Sequence, residues 1–202
     1  MGLELEDDEL QTTPTAAALE LGGRRVYALV MSAIVPDLAG IELVGEGADA
    51  VLVGGCDETT EPNQVFSHMN LARAFSEIQA GADLFCLHKN PWWQTARGPM
   101  LDGGAFVAAL EYATGVDATV LGKPSASYFA AALDALGAEP ELTWMVTDDL
   151  DADVRGAQAF GMRTALVRTG KFRPETLEGS NVVPEIVLSS VAQLPDWLER
   201  SP

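Results

Sequence analysis

The sequence predicts an α/β fold with a mainly parallel sheet. Seven apolar runs of four to six residues recur along the chain, helix-period segments separate most of them, and Gly and Pro mark the joints. Neither a tandem repeat nor a low-complexity tract interrupts this alternation.

Taken in order, Pro14–Leu21 reads as a helix, with Thr13 as N-cap, Pro14 at its first position and Gly22-Gly23 as its stop. Val26–Met31 and Ala50–Gly54 are short apolar runs of the kind buried on both faces of a parallel sheet. Gln64–Gln79 has helical periodicity and leads into a third strand, Leu84–Leu87. Lys89–Leu101, punctuated by Pro91 and Gly98-Pro99, has no period and reads as a long loop, a length that points to function. A helix over Gly104–Ala113 and a strand over Ala118–Leu121 follow. Lys123-Pro124-Ser125 then opens a helix that runs to Leu136. Thr143–Val146, Thr164–Val167 and Glu185–Leu188 are the last strands. Leu150–Phe160, closed by Gly161, and Val191–Glu199 are the last helices.

Composition narrows the function. The chain has 202 residues, 48% of them hydrophobic, and a formal net charge of −18. Such an acidic chain argues against nucleic acid or an anionic membrane surface as partner. No apolar run approaches the roughly 20 residues that span a bilayer. The opening MGLELEDDEL lacks the basic and apolar regions of a secretory signal, so a cytoplasmic location is expected. Cys56 and Cys86 have no CxxC spacing and read as buried free thiols. His68 and His88, without a third ligand in view, read as neither metal site nor general base.

The strongest chemical signal is Thr147-Asp148-Asp149-Leu150-Asp151-Ala152-Asp153, where an apolar strand runs into adjacent carboxylates. Ligands in open α/β sheets bind at the carboxyl ends of strands. Asp149 is placed to cap the new helix, and Asp153 lies one turn on, so both can face one pocket. Gathered carboxylates repel unless a cation shares them. Mg²⁺ suits the site because it takes oxygen ligands, with one or two carboxylates completed by water and phosphate. An acidic first turn stabilised by the helix dipole is the plain alternative, and on this segment alone the two readings weigh evenly. Lys123 tips the balance. It follows the strand of the preceding βα unit, just before that unit's helix, it is one of three lysines in the chain, and it can neutralise both a carboxylate cluster and a phosphate.

Together, Gly122-Lys123-Pro124-Ser125, Thr147-Asp148-Asp149 with Asp153, Gly156-Ala157-Gln158, Gly161-Met162-Arg163 and Val167-Arg168-Thr169-Gly170-Lys171-Phe172 resemble the haloacid-dehalogenase hydrolases. The segments Pro36–Ile41, His88-Lys89-Asn90 and Ala108–Gly115 resemble the cap of that family's C2-capped phosphatases. The resemblance implies a partial Rossmann-like parallel-sheet core with an α/β C2 cap. Residues 1–23 would be a residual N-terminal core segment, 24–117 the cap and 118–202 the C-terminal part of the core. It further implies a small phosphorylated substrate and Mg²⁺, with Lys123, Asp149 and Asp153 as catalytic residues and Asp148 and Asp149 at the metal. Lys123, Asn90 and Trp92 would contact substrate. Thr147 stands where the family usually has glycine.

The family's chemistry starts from an aspartate nucleophile in an Asp-x-Asp segment after the first strand. Asp7-Asp8 follows no strand, and Asp151-x-Asp153 belongs to the later motif. The expectation is therefore a truncated core, without turnover as an isolated chain. A complementing N-terminal chain or homo-oligomerisation would cover its exposed sheet. A catalytically dead binding or assembly module is the alternative. A receiver-like phosphoacceptor domain fits poorly, because the insert between Met31 and Val120 is too long for it.

Overall fold

The computed structural model describes residues 9–200, which fall into two compact units divided between Gly122 and Lys123. Asp7 and Asp8 lie outside the described residues.

The first unit contains α1 (Thr13–Leu21), β1 (Arg25–Leu29), a 3₁₀ segment (Ser32–Leu38), β2 (Glu42–Leu43), β3 (Ala50–Val53), α2 (Glu61–Val65) and α3 (His68–Gln79). β4 (Asp83–Cys86), β5 (Trp92–Thr95), β6 (Gly98–Leu101), α4 (Gly103–Thr114) and β7 (Thr119–Val120) complete it. Its main sheet has the order β2-β1-β3-β4-β7 and is parallel throughout. Side chains alternate across a strand. Val51 and Val53 of β3 therefore enter one core with Phe66, Ile78, Val107 and Leu110, while Ala50 and Leu52 enter another with Ala17, Leu21 and Leu38. Burial on both faces explains why β3 is a pure apolar run. Thr119–Val120, grouped by its sequence with the C-terminal residues, hydrogen-bonds β4 in this sheet.

Three local expectations need correction. The hydroxyl of Thr12, not Thr13, caps α1: it accepts from the Thr15 amide at 3.3 Å, while the Thr12 amide donates to the Thr15 hydroxyl at 3.0 Å. The Gln64–Gln79 helix is two helices, because Ser67 caps a new start by accepting from the Asn70 amide at 3.4 Å. Phe66, at the break, turns into the core and stacks on Phe106 with ring centroids 4.0 Å apart. The Lys89–Leu101 loop is largely a hairpin, in which β5 and β6 pair antiparallel from Trp92↔Leu101 to Thr95↔Gly98. The Thr95 hydroxyl ties its turn, donating to the Gly98 carbonyl at 2.8 Å and accepting from the Arg97 amide at 3.1 Å. Trp-Trp-Gln-Thr and Gly-Pro-Met-Leu do not alternate apolar with polar, so neither strand announces itself.

The second unit comprises α5 (Ala126–Leu136), β8 (Trp144–Thr147), a wide turn (Leu150–Val154), α6 (Arg155–Ala159), β9 (Arg163–Val167), α7 (Pro174–Glu178), β10 (Ile186–Leu188) and α8 (Leu194–Arg200). Its parallel sheet runs β10-β9-β8. Phe129, Leu133, Ala157 and Met162 form one core, and Leu150, Val154, Leu166 and Val182 another. Among the described residues β8 is paired on one side only, by β9. Ser125 starts α5 without a side-chain cap; its hydroxyl meets that of Ser127 at 2.7 Å.

Candidate functional site

The second unit gathers Lys123, Thr147, Asp148, Asp149, Asp153 and Lys171. β8 sets the first acids, since Thr147 is its last residue and Asp148 follows directly. The chain then enters the helical region through a π-type turn in which the Val154 amide donates to the Asp149 carbonyl at 3.2 Å, five residues back. Single π turns are rare inside helices and recur at functional sites. The Asp149 carboxylate caps the turn through Oδ1, which accepts from the Ala152 amide at 3.0 Å.

Asp153 is buried and faces back towards the strand end. Its Oδ2 accepts a 2.6 Å hydrogen bond from the Thr147 hydroxyl, which itself accepts from the Asp149 amide at 3.0 Å. Lys123 Nζ stands 3.1 Å from Asp153 Oδ1 and 3.3 Å from Oδ2. The ammonium and the hydroxyl together satisfy a carboxylate that leaves only 9% of its side chain exposed. The hydroxyl at position 147 is therefore a working part of the site: it joins Asp149 and Asp153, which flank the turn.

Asp148 is engaged from another direction. Its Oδ2 accepts from the Lys171 amide at 2.8 Å, in the loop after β9. A β-carbon on Gly170 would lie 1.9 Å from that oxygen, and Gly170 has φ +59°, so glycine is required twice over. The Lys171 ammonium pairs with Asp149 Oδ2 at 3.1 Å. Burial pushes the Asp149 carboxyl upward, but the Ala152 amide and the Lys171 ammonium outweigh it and hold its pKa below the ordinary value.

The acid pair matches the chemistry of Mg²⁺, a hard cation that takes oxygen ligands. Asp148 fits best, because its Oδ1 accepts no hydrogen bond from a described residue. Asp149 has the right donor type, with both oxygens already in use. Among the described residues no group of three or more His, Cys, Asp or Glu side chains could hold a metal ion, so this stretch offers one or two carboxylates.

Asn90 and Trp92 lie in the first unit. The Asn90 amide donates to His88 Nδ1 at 3.4 Å and its carbonyl accepts from the Gly104 amide at 3.0 Å, which fixes the entry to the hairpin. Trp92 is 57% exposed, whereas Trp93 is half-buried and its indole N–H is buried without a hydrogen-bond partner among the described residues. Asp102 caps α4; its Oδ1 accepts from the Gly103 amide at 2.7 Å and the Cys56 amide at 3.0 Å. Both cysteines are free, Cys86 fully buried and Cys56 half-buried. Sequence reasoning gave no role to Lys171 or to the Thr147 hydroxyl. Scarcity was the available signal for the first, since Lys171 is one of only three lysines.

The HAD-hydrolase-like family model matches residues 120–194. Haloacid dehalogenase-like hydrolase domain-containing protein 2 of Bos taurus is 37% identical over 197 residues, covering 96% of this chain and 73% of that protein. The phospholysine phosphohistidine inorganic pyrophosphate phosphatase of Xenopus laevis is 34% identical over 206 residues, covering 99% of this chain and 73% of the relative. Among solved structures, the p-nitrophenyl phosphatase from Archaeoglobus fulgidus superposes with TM-score 0.86 at 26% identity, over 97% of this chain and 77% of its own. A glycerol phosphate phosphatase from Mycobacterium tuberculosis, in complex with magnesium, gives TM-score 0.83 at 28% identity, over 96% of this chain and 60% of its own.

Proposed function

The chain belongs to the haloacid-dehalogenase-like hydrolases, and we propose that it carries the phosphate-steadying and metal-holding part of a Mg²⁺-dependent phosphatase acting on a small phosphorylated substrate. The observation that carries this is the arrangement around Lys123: a lysine clamped by buried Asp153, with Asp148 at the end of β8 keeping one oxygen that no described residue hydrogen-bonds.

In this reading Lys123 neutralises charge on the phosphoryl oxygens, and such fixed opposite charge is most effective where charge accumulates in the transition state. Asp153, itself held by Thr147, keeps the ammonium from straying. Asp148, with Asp149 beside it, would hold Mg²⁺. When bound, the ion supplies Lewis-acid stabilisation of phosphoryl oxygen. Asp149 also orders the turn through the Ala152 amide. The magnesium in the mycobacterial relative's structure supports a divalent ion here. Residues 1–23 and 118–202 then belong to the phosphatase core, and residues 24–117 form the C2 cap that selects the leaving group, with Asn90 and Trp92 as its substrate contacts.

The nucleophile is a separate matter. Within the 202 residues the only Asp-x-Asp segments that follow an apolar strand, Asp149-x-Asp151 and Asp151-x-Asp153, belong to the acidic run after β8. One-sided pairing of β8 supports a nucleophile-bearing strand supplied from outside these residues by a complementing chain, with self-association as the other way to cover the open strand edge. We place the protein in the cytoplasm; among the described residues no helix is long and apolar enough to cross a membrane.

The purified 202-residue polypeptide is expected to bind orthophosphate in the presence of Mg²⁺, to lose that binding at least tenfold in Lys123→Met, and to release no p-nitrophenol from p-nitrophenyl phosphate. Phosphate affinity indifferent to both Mg²⁺ and Lys123 would falsify the assignment of the site. Mg²⁺-dependent turnover abolished by Asp148→Asn would instead refute the external nucleophile.

A further inference from the structure

We propose that Lys171 is a built-in counter-cation for the Asp148–Asp149 pair, whose ammonium a divalent ion displaces on binding. The inference rests on the metal reading above and deepens it by naming the group with which the metal competes. One residue touches both acids: the Lys171 amide donates to Asp148 Oδ2 at 2.8 Å, and its ammonium meets Asp149 Oδ2 at 3.1 Å.

The two contacts differ in permanence. The amide belongs to the backbone and is locked by the close approach of Gly170 to the Asp148 carboxylate. The ammonium sits on a flexible four-carbon stem, and 60% of the side chain is exposed against 23% for Asp149. Exposed ion pairs hold weakly, so this end can swing away while the loop stays in place.

Charge gives the direction. Lys123 is committed to Asp153, which leaves Lys171 as the one lysine on two adjacent carboxylates. A single positive charge balances that pair incompletely, and a divalent ion balances it fully. Without the ion, Lys171 keeps the acids from repelling each other. With it, the ammonium is a like charge beside the metal and is driven off. Coupling of this kind is reciprocal, so removing the ammonium must tighten the metal.

The test needs no turnover. Mg²⁺ affinity is measured by calorimetry on the 202-residue chain as wild type, Lys171→Met and Lys171→Arg, with Asp148→Asn as the site control. Lys171→Met is expected to bind Mg²⁺ on the order of three- to tenfold more tightly, as loss of a nearby like charge in a solvent-exposed site predicts. Lys171→Arg is expected to stay near wild type. In a second measurement, saturating Mg²⁺ raises the rate at which acetic anhydride labels Lys171 in the wild type, with Lys89 as the internal reference. Measurable but equal affinities, or weaker binding by Lys171→Met, overturn this role and leave the metal reading standing. Absence of Mg²⁺ binding to every variant overturns both.

Discussion

Replacing Thr147 by valine removes the hydroxyl and keeps the shape. The β-branched side chain preserves the strand preference and fills the same space, so the loss is confined to hydrogen bonding. Two bonds go: the 2.6 Å donation to Asp153 Oδ2 and the 3.0 Å acceptance from the Asp149 amide. A hydrogen bond to a charged group is worth about 1.5–3 kcal/mol, and a buried donor left without an acceptor costs about 1–3 kcal/mol. Lys123 still satisfies Asp153, which brings the expected total down to about 2–4 kcal/mol. Thr147→Ser retains the hydroxyl and loses one buried methyl group, about 0.8–1 kcal/mol. With a denaturant slope of about 1.5 kcal/mol/M, the valine variant shifts the urea midpoint of this unit by about 1.3–2.7 M, and the serine variant by less than about 1 M. Circular dichroism follows the unfolding, while hydrogen exchange at the Asp149 amide reports the bond itself and should speed up in the valine variant alone. A serine variant as destabilised as the valine one, or an Asp149 amide equally protected in both, would show that the methyl group and not the hydroxyl carries the effect.

Further outcomes follow from the same geometry. Gly170→Ala places a β-carbon 1.9 Å from Asp148 Oδ2 at φ +59°, so it is expected to cost about 1–2 kcal/mol from the backbone alone and to weaken Mg²⁺ binding; thermal unfolding and calorimetry measure the two losses. Burial pushes the Cys56 thiol up to about 11 and the Cys86 thiol up to about 12. At pH 8 only about one Cys56 in a thousand is then thiolate, so iodoacetamide should label the native chain at least a hundredfold more slowly than the urea-unfolded chain. The Glu111 carboxylate accepts from Lys89 Nζ at 2.8 Å and from the Ala118 amide at 2.7 Å. Burial raises its pKa, but these donors win and hold it below its ordinary value. Its contribution to stability is therefore complete above about pH 4.3 and disappears as pH falls through the lowered value. Glu111→Gln should flatten the acid limb of the stability profile there; an unchanged slope in acid titrations of urea unfolding would remove this pair from the account.

Much of the fold was legible because a buried parallel strand writes itself as an uninterrupted apolar run. Ala50–Gly54 and Thr164–Val167 read this way, and the strands they became, Ala50–Val53 and Arg163–Val167, lie in the middle of their sheets. The hairpin of Trp92–Thr95 and Gly98–Leu101 stands outside the main sheet; burial alternates along both strands, but Trp92, Pro99 and Leu101 take the exposed positions, so the apolar residues leave no period to read. The break at Phe66–Ser67 was hidden for a different reason. Both halves are helical by pattern, and the cap at Ser67 together with the stack of Phe66 on Phe106 separates them.

The opposition between sequence and tertiary structure is plainest at the acids. The amino-acid order alone names the groups, a lysine between one strand and its helix and four aspartates opening the next helical region, and from them comes the expectation of a site for phosphate and a hard cation. It also marked Asp149 as a cap, because capping depends on neighbours three residues away. What it left open was how each carboxylate is occupied. The parallel register of β8 against β9, with Thr147 opposite Leu166, sets where the loop after β9 begins, and so brings Lys171 to Asp148 and Asp149. The wide turn over Leu150–Val154 leads the chain from Asp149 to Asp153, whose side chain meets both Thr147 and Lys123. These contacts join residues 6 to 30 positions apart. Pairings at that range are fixed by strand register and packing, which no local pattern encodes; among the described residues they leave one Asp148 oxygen without a hydrogen bond while both oxygens of Asp149 are engaged.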